Sequence, residues 1–254
     1  VNAPRPAPYW EDVDAGIALY LGDCREILPA LGVQADLILA DPPYNETSLA
    51  WDRWPDGWPA LAAQHSASMW CFGSMRMFLD RAGEFADWKL SQDVVWEKPV
   101  GTGLAADRFR RVHEHALHWY RGDWASRHHD AVREQWHGQD NGSRSKGGSK
   151  GAHLGEAGNR AYADDGTRLV RSVLRVANLR QRSIHPTEKP LGILAPLIAY
   201  ACPPAGLVID LFAGSGSTLD AARQSGRRAI GIEANETYCE AAARRLSQLT
   251  LEAS

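Results

Sequence analysis

Residues 206–218 read GLVIDLFAGSGST. The run GLVIDLF is continuous and apolar, which suits a strand covered on both faces in a parallel sheet. Gly214 and Gly216 follow at once, where the chain must turn tightly and let backbone approach a neighbour. LDAARQSG then has helical spacing. Downstream, RAIGIEA repeats the strand and ETYCEAAARRLSQL is a clear amphipathic helix. Upstream the same alternation recurs. IALYLGD (17–23) is a strand ending in a turn, CREILPAL is a helix, and ADLILADPPY is a second apolar run that stops at two prolines. SMWCF (68–72) and DVVW (93–96) are further strands, and the partial alternation of HEHALHWY places another toward the sheet edge. The N-terminal VNAPRPAPYW reads as an irregular, proline-rich arm. Strands alternating with helices predict an α/β fold, a mostly parallel twisted sheet flanked by helices.

The chain has 254 residues, 44% hydrophobic and 23% charged, enough to bury one substantial core and to exclude a disordered chain. Its net charge of −3, taken whole, argues against a phosphate-rich partner. The charge is uneven, however. Residues 121–183 hold 12 Lys and Arg against 7 Asp and Glu, a net of +5, so the other 191 residues carry −8. This segment has few apolar runs, contains NGSRSKGGSKG as an expected mobile loop, and has VRSVLRV as its one short helix or strand. It reads either as a surface insert or as a basic subdomain that meets a polyanion. The expected organisation is a body of residues 1–120 and 184–254 with an insert at 121–183. Cys24, Cys71, Cys202 and Cys239 have no CxxC spacing and read as buried free thiols. No 18-residue apolar run and no signal peptide are present, so a cytoplasmic protein without a membrane span is expected.

Three constellations carry chemistry. Asp41-Pro42-Pro43-Tyr44 ends a buried strand, where ligands of open α/β sheets bind. The Asp41 carboxylate and the Pro42 carbonyl offer two acceptors suited to an exocyclic NH2 group, Pro43 stiffens the turn, and Tyr44 offers a face for a planar base. Alone, the same residues fit a proline turn with a capping Asp. Asp210, Phe212, Gly214, Gly216, Ser217 and Thr218 form the second group. A third glycine is missing, since Leu219 stands in its place, but Glu233 ends the next strand 19 residues after Gly214. An acid there can accept both ribose hydroxyls of an adenosine-containing cofactor, or can simply cap the next helix. The third is HPTEKP (185–190), opening the helix LGILAPLIAY; Thr187 can cap it, Pro190 suits its first turn, and Lys189 would favour a carboxylate ligand.

Together these elements resemble the S-adenosylmethionine-dependent amino-methyltransferases of DNA. Their order, DPPY, then a variable region, then HPTEKP, then FAGSGST, is similar to the circularly permuted β class that methylates adenine N6 or cytosine N4. LYLGDC, VVWEKP and RVHEHALHWYRG extend the likeness, which covers about 17–121 and 184–246. The resemblance implies a Rossmann-like methyltransferase fold, S-adenosylmethionine as cofactor, and double-stranded DNA as partner, with 121–183 as the target-recognition insert. It implies that Phe212, Gly214 and Gly216 line the cofactor pocket, with Asp210 and Ser217 near its methionine end, and that Asp41 and Thr218 also bind the cofactor. Glu233 would hold the ribose, Asp23 would reach the cofactor adenine, and Thr187 and Lys189 would contact its carboxylate. Asp41, Pro42, Pro43 and Tyr44 would hold a base flipped out of the duplex.

Asp rather than Ser at position 41 favours adenine in the family pattern; cytosine-N4 transfer, RNA as substrate, and a DNA-binding module without catalysis stay open as alternatives. A homodimer follows from family analogy alone, and any restriction nuclease is expected on a separate chain of a bacterial or phage system. His113, His115, His118, His128 and His129 lack HExxH spacing, and no metal site is expected. Trp51, Trp54 and Trp58 either pack on the sheet or cover the base. Arg76, Arg108, Arg110 and Arg111 are phosphate contacts or a solvated face.

Overall fold

A computed structural model describes residues 5–49, 51–102, 107–135, 166–176 and 188–252. In chain order the main elements are β1 (Trp10–Asp12), β2 (Ile17–Leu21), α1 (Cys24–Leu31), β3 (Leu37–Ala40), α2 (Trp58–His65), β4 (Ser68–Gly73), α3 (Met75–Asp80), β5 (Lys89–Thr102) and β6 (Arg111–Tyr120). They continue with β7 (Arg133–Gln135), β8 (Thr167–Leu169), β9 (Val173–Arg175), α4 (Leu191–Ala201), β10 (Leu207–Asp210), α5 (Ser217–Gln224), β11 (Arg228–Glu233) and α6 (Glu236–Glu252).

Among the described residues, nine strands form one sheet in the order β1-β2-β11-β10-β3-β4-β6-β5-β9. The five at its centre, β2, β11, β10, β3 and β4, pair in parallel. β3, β4 and β10 are buried at every position, as their unbroken apolar runs require. One core face gathers Leu37, Leu39, Trp70 and Val208 against α4, α5 and α6; the other gathers Ile38, Met69, Ile209 and Trp58 against α1 and α2. The permuted motif order is visible in the register: Asp210 of β10 lies beside Leu39 of β3, although 171 residues separate them.

Three local expectations change. HEHALHWY lies inside the sheet, hydrogen-bonded to β4 on one side and β5 on the other. Its alternation misled because His118 is fully buried, bonded to Ser68 and packed on Trp70, where a histidine suggests a wet face. Trp10, the last residue of the supposed irregular arm, opens β1, which pairs antiparallel with β2. Helix α4 begins at Leu191 with Pro190 as its cap residue rather than in its first turn; Thr187, the expected cap, lies outside the described residues. All four cysteines are buried and free.

The chain divides into two compact units, Val1–Asp130 with Ser172–Ser254, and Ala131–Arg171. The expected insert spanned 121–183. Within that span Asp130 N–H donates to the Tyr200 carbonyl and β9 extends the main sheet by pairing with β5, so both ends belong to the body. In the small unit, β7 and β8 pair antiparallel, with Arg168 on Glu134. The NGSRSKGGSKG stretch lies outside the described residues.

Candidate active site

At the carboxyl ends of β2, β3, β10 and β11 is a cavity of about 530 Å³. Asp23, Asp41, Pro42, Pro43, Tyr44, Lys189, Asp210, Phe212, Gly214, Ser217, Thr218 and Glu233 all line it. Residues chosen from three separated motifs therefore meet in one place. Thr187 lies outside the described residues. Gly216 does not line the cavity: it is the cap residue of α5 at φ 76°, and a Cβ there would sit 3.3 Å from Ala242 of α6. Its glycine serves the turn and the close approach of α6, not the pocket wall.

One half of the cavity is built from backbone and neighbouring side chains. Gly214 adopts φ 50°, and its N–H donates to the Glu233 carboxylate at 2.8 Å. The other Glu233 oxygen accepts from Asn235 N–H at 2.8 Å. Burial raises the Glu233 pKa above the usual glutamate value. Asp210 accepts from Phe212 N–H at 3.0 Å and is almost fully buried, which pushes its carboxyl up to about 7. Asp23 caps α1 through Arg25 N–H, and its bond to the Arg25 guanidinium holds its pKa below the ordinary aspartate value. Behind this wall, Arg245 of α6 reaches Glu188 and donates to Ser217 Oγ at 3.2 Å.

The other half is built from distant charges. The Tyr44 hydroxyl donates to Asp41 Oδ1 at 2.7 Å, and Lys189 Nζ pairs with Asp41 Oδ2. Lys189 also lies 3.4 Å from Glu114 of β6, which in turn pairs with Lys98 of β5. A chain of alternating charge, Lys98–Glu114–Lys189–Asp41, thus ends on the DPPY acid. Burial opposes the Glu114 charge, but the ammonium groups of Lys189 and Lys98 overcome it and bring its pKa to about 2. Burial likewise opposes the Lys189 charge, yet Asp41 and Glu114 raise its pKa above the usual lysine value. Lys189 was expected to face a cofactor carboxylate; here its charge is matched by two protein carboxylates.

The loop after Tyr44 has its own anchor. Asp52 is buried, and its carboxylate accepts from the backbone N–H groups of Asn45, Glu46 and Thr47 at 2.7, 2.9 and 2.7 Å. Burial works against this charge, but those bonds and one from the Thr47 side chain win, and its pKa is lowered. Trp54 and Trp58 are buried and pack together with Phe85; Trp58 also meets Phe212 edge-on at 5.3 Å. Trp51 remains partly exposed on the cavity wall.

Glu114, Lys98, Asp52 and Arg245 went unnamed in the sequence reading. Glu114 and Lys98 do stand in the family-like stretches RVHEHALHWYRG and VVWEKP, and that likeness was the available signal.

The fold and the site define a methyltransferase-type α/β protein, and comparison with known proteins gives the family. Residues 35–244 match the DNA methylase family of N6 and N4 amino-methyltransferases, and the chain belongs to it. The fold is that of M1.HpyAVI in complex with SAM (TM-score 0.62, 22% identity, covering 91% of this chain and 99% of that one). It is also that of the cytosine-N4-specific PvuII DNA methyltransferase (TM-score 0.60, 15% identity, 91% and 86%). TTHA0409 from Thermus thermophilus, solved with S-adenosyl-L-methionine, has a TM-score of 0.54 at 18% identity, covering 91% of this chain and 94% of that one. The methylase-named YubD of Escherichia coli (strain K12) is 57% identical over 63 residues, 25% of this chain. The match spans only 28% of YubD.

Proposed function

We propose that this protein methylates adenine N6 in double-stranded DNA, using S-adenosylmethionine. The observation that carries the reading is the meeting of Asp41-Pro42-Pro43-Tyr44 with Gly214 and Glu233 on one cavity. The fit to the cofactor rests on that cavity. Its volume is in the range of small-molecule sites, Gly214 leaves backbone open to a ligand, and Glu233 keeps acceptor capacity beyond its two backbone bonds. Glu233 would accept the ribose hydroxyls, and Asp23 would reach the adenine ring. Asp210, Ser217 and Thr218 would lie at the amino-acid end, with Phe212 against the ring system. When bound, the cofactor supplies a methyl group activated by a sulfonium.

The target amino group is a weak nucleophile because its lone pair is delocalised into the ring. Donation of its two N–H bonds to Asp41 and to the Pro42 carbonyl would hold it in line with the methyl group. Positive charge would develop on the nitrogen as it takes the methyl group, Asp41 would stabilise that charge where it appears, and the surplus N–H proton would then leave to solvent. Lys189 and Tyr44 fix the carboxylate before the base arrives, so no reorganisation is needed at that moment. Orientation of this kind contributes several of the roughly 7–11 kcal/mol open to well-placed reactants. The base must leave the duplex to reach Asp41, at a cost of about a few kcal/mol. Sequence readout is assigned to the basic insert, through Arg, Asn or Gln contacts to base edges. The Asp at position 41 supports adenine over cytosine; mass spectrometry of nucleosides from DNA methylated by the enzyme tests this. N6-methyladenosine is expected, and N4-methylcytosine would replace this reading with the cytosine one.

A further inference from the structure

β6 pairs with β4 only from His115 to Tyr120, where His115 meets Gly73, the last residue of β4. Arg111–Glu114 therefore run on beyond the end of β4, still paired with β5. β4 is parallel to β3, so this overhang leaves the sheet at the carboxyl edge, where Asp41 stands. Four residues of strand carry it roughly 13 Å past the edge. The segment leading into β6 reads DRFRR, residues 107–111, and its Phe109 is fully exposed. Arg111 donates to Glu46 at 3.2 Å and so ties the arm to the loop directly after DPPYN. Beneath it, Arg76, Arg111, His113 and His115 share a second cavity of about 300 Å³ with Glu46 and Ser74. Arg108 is matched by Asp107, which leaves the segment 107–111 at +2 by composition.

A bare aromatic ring set among arginines, on an arm beside the pocket that must receive a flipped base, has the chemistry of a wedge. Apolar side chains that enter a base step unstack it, while basic neighbours hold the phosphates. We propose that residues 107–111, which lead into β6, are a DNA-contacting element outside the insert, with Phe109 filling the place in the stack that the target base leaves and Arg76 and Arg110 on the flanking phosphates. This rests on the DNA methyltransferase reading above. It also gives the acidic body its own cationic contact with duplex DNA, so the insert need not supply all of it.

The test is methyl transfer from labelled S-adenosylmethionine to duplex DNA from a methylation-free host, with wild type, F109A and F109W. F109A is expected to lower turnover about ten-fold or more, with melting temperature and S-adenosylhomocysteine affinity unchanged and F109W near wild type. Once the modified site has been sequenced, a duplex mispaired at the target base should restore F109A, because the stack there is already open. F109A at wild-type rate on the matched duplex overturns the wedge. So does an F109A defect that the mispair leaves in place, or one that appears together with a change of mass in light scattering, which would assign the tip to contact between copies. Wild type inactive on every duplex overturns the underlying reading, and the wedge with it.

Discussion

The two halves of the active-site cavity are made differently. On the side proposed for the cofactor, Glu233 is held by backbone N–H groups of Gly214 and Asn235, and Asp210 by Phe212 N–H, partners 2 to 19 residues away. On the side proposed for the target base, Asp41 is held by Lys189, 148 residues away, and Lys189 by Glu114. Backbone donors are fixed once the strand–turn–helix forms. Buried ion pairs exist only when several separate strands have come together, and each charge is costly if its partner is removed. The comparison implies that substitutions on the cofactor side should act mainly on binding, and those on the base side on turnover and on folding together.

The largest effect should come from Asp41. D41A is expected to lower turnover about a hundred- to a thousand-fold, with cofactor affinity by calorimetry close to wild type. A D41A enzyme of near-normal rate and intact fold would remove the base-side assignment altogether. E114Q comes next. It leaves Lys98 and Lys189 short of a buried countercharge, and a loss of about 3 kcal/mol is expected in urea unfolding, with slower turnover. Because the folded Glu114 pKa is depressed to about 2, its stabilisation is present above the ordinary glutamate value. It is lost as pH falls from there toward 2. The stability gap between wild type and E114Q should close over that acid range; a gap independent of pH would place Glu114 outside the charge chain.

On the cofactor side, E233A should weaken S-adenosylhomocysteine binding about ten- to a hundred-fold while the melting temperature moves little. Equal binding by E233A would break the contrast between the halves. The smallest effect separates burial from ligation at Asp210. Its folded pKa is raised to about 7, so the folded chain holds a proton there that the unfolded chain gives up above its ordinary value of 3.8. Stability from this group therefore falls as pH rises from about 4 to 7. D210N should gain melting temperature relative to wild type between pH 5 and pH 8, and an unchanged difference would show that burial of Asp210 is relieved in solution.

Most of the sheet was legible because its central strands are buried on both faces, and a run such as LVID or LILA has no other stable use in a chain of this pattern. α1 and α6 were legible from their periodicity. α2, α3 and β1 were not, since WPALAAQH shows no clear apolar face and three residues of strand carry too little pattern. β6 was misplaced because its buried polar residues, Glu114 and His118, look like a solvated face until their partners are known. The same blindness applied to Asp52, an ordinary acid in sequence that proves to gather three backbone N–H groups behind the DPPY loop.

The sequence by itself determined the α/β alternation, the permuted order of the motifs, and most of the motif residues that meet on the cavity. These are properties of local pattern: apolar runs, glycines where φ is positive, and acids at strand ends. Only the tertiary structure decided that Lys189 faces Asp41 and Glu114, that Gly216 serves the packing of α6, and that an exposed Phe109 stands two residues before the Arg111 that bonds to Glu46 after DPPYN. Each of these depends on sheet register between segments far apart in the chain. Register is set by the packing of the whole core, and no window of sequence contains it.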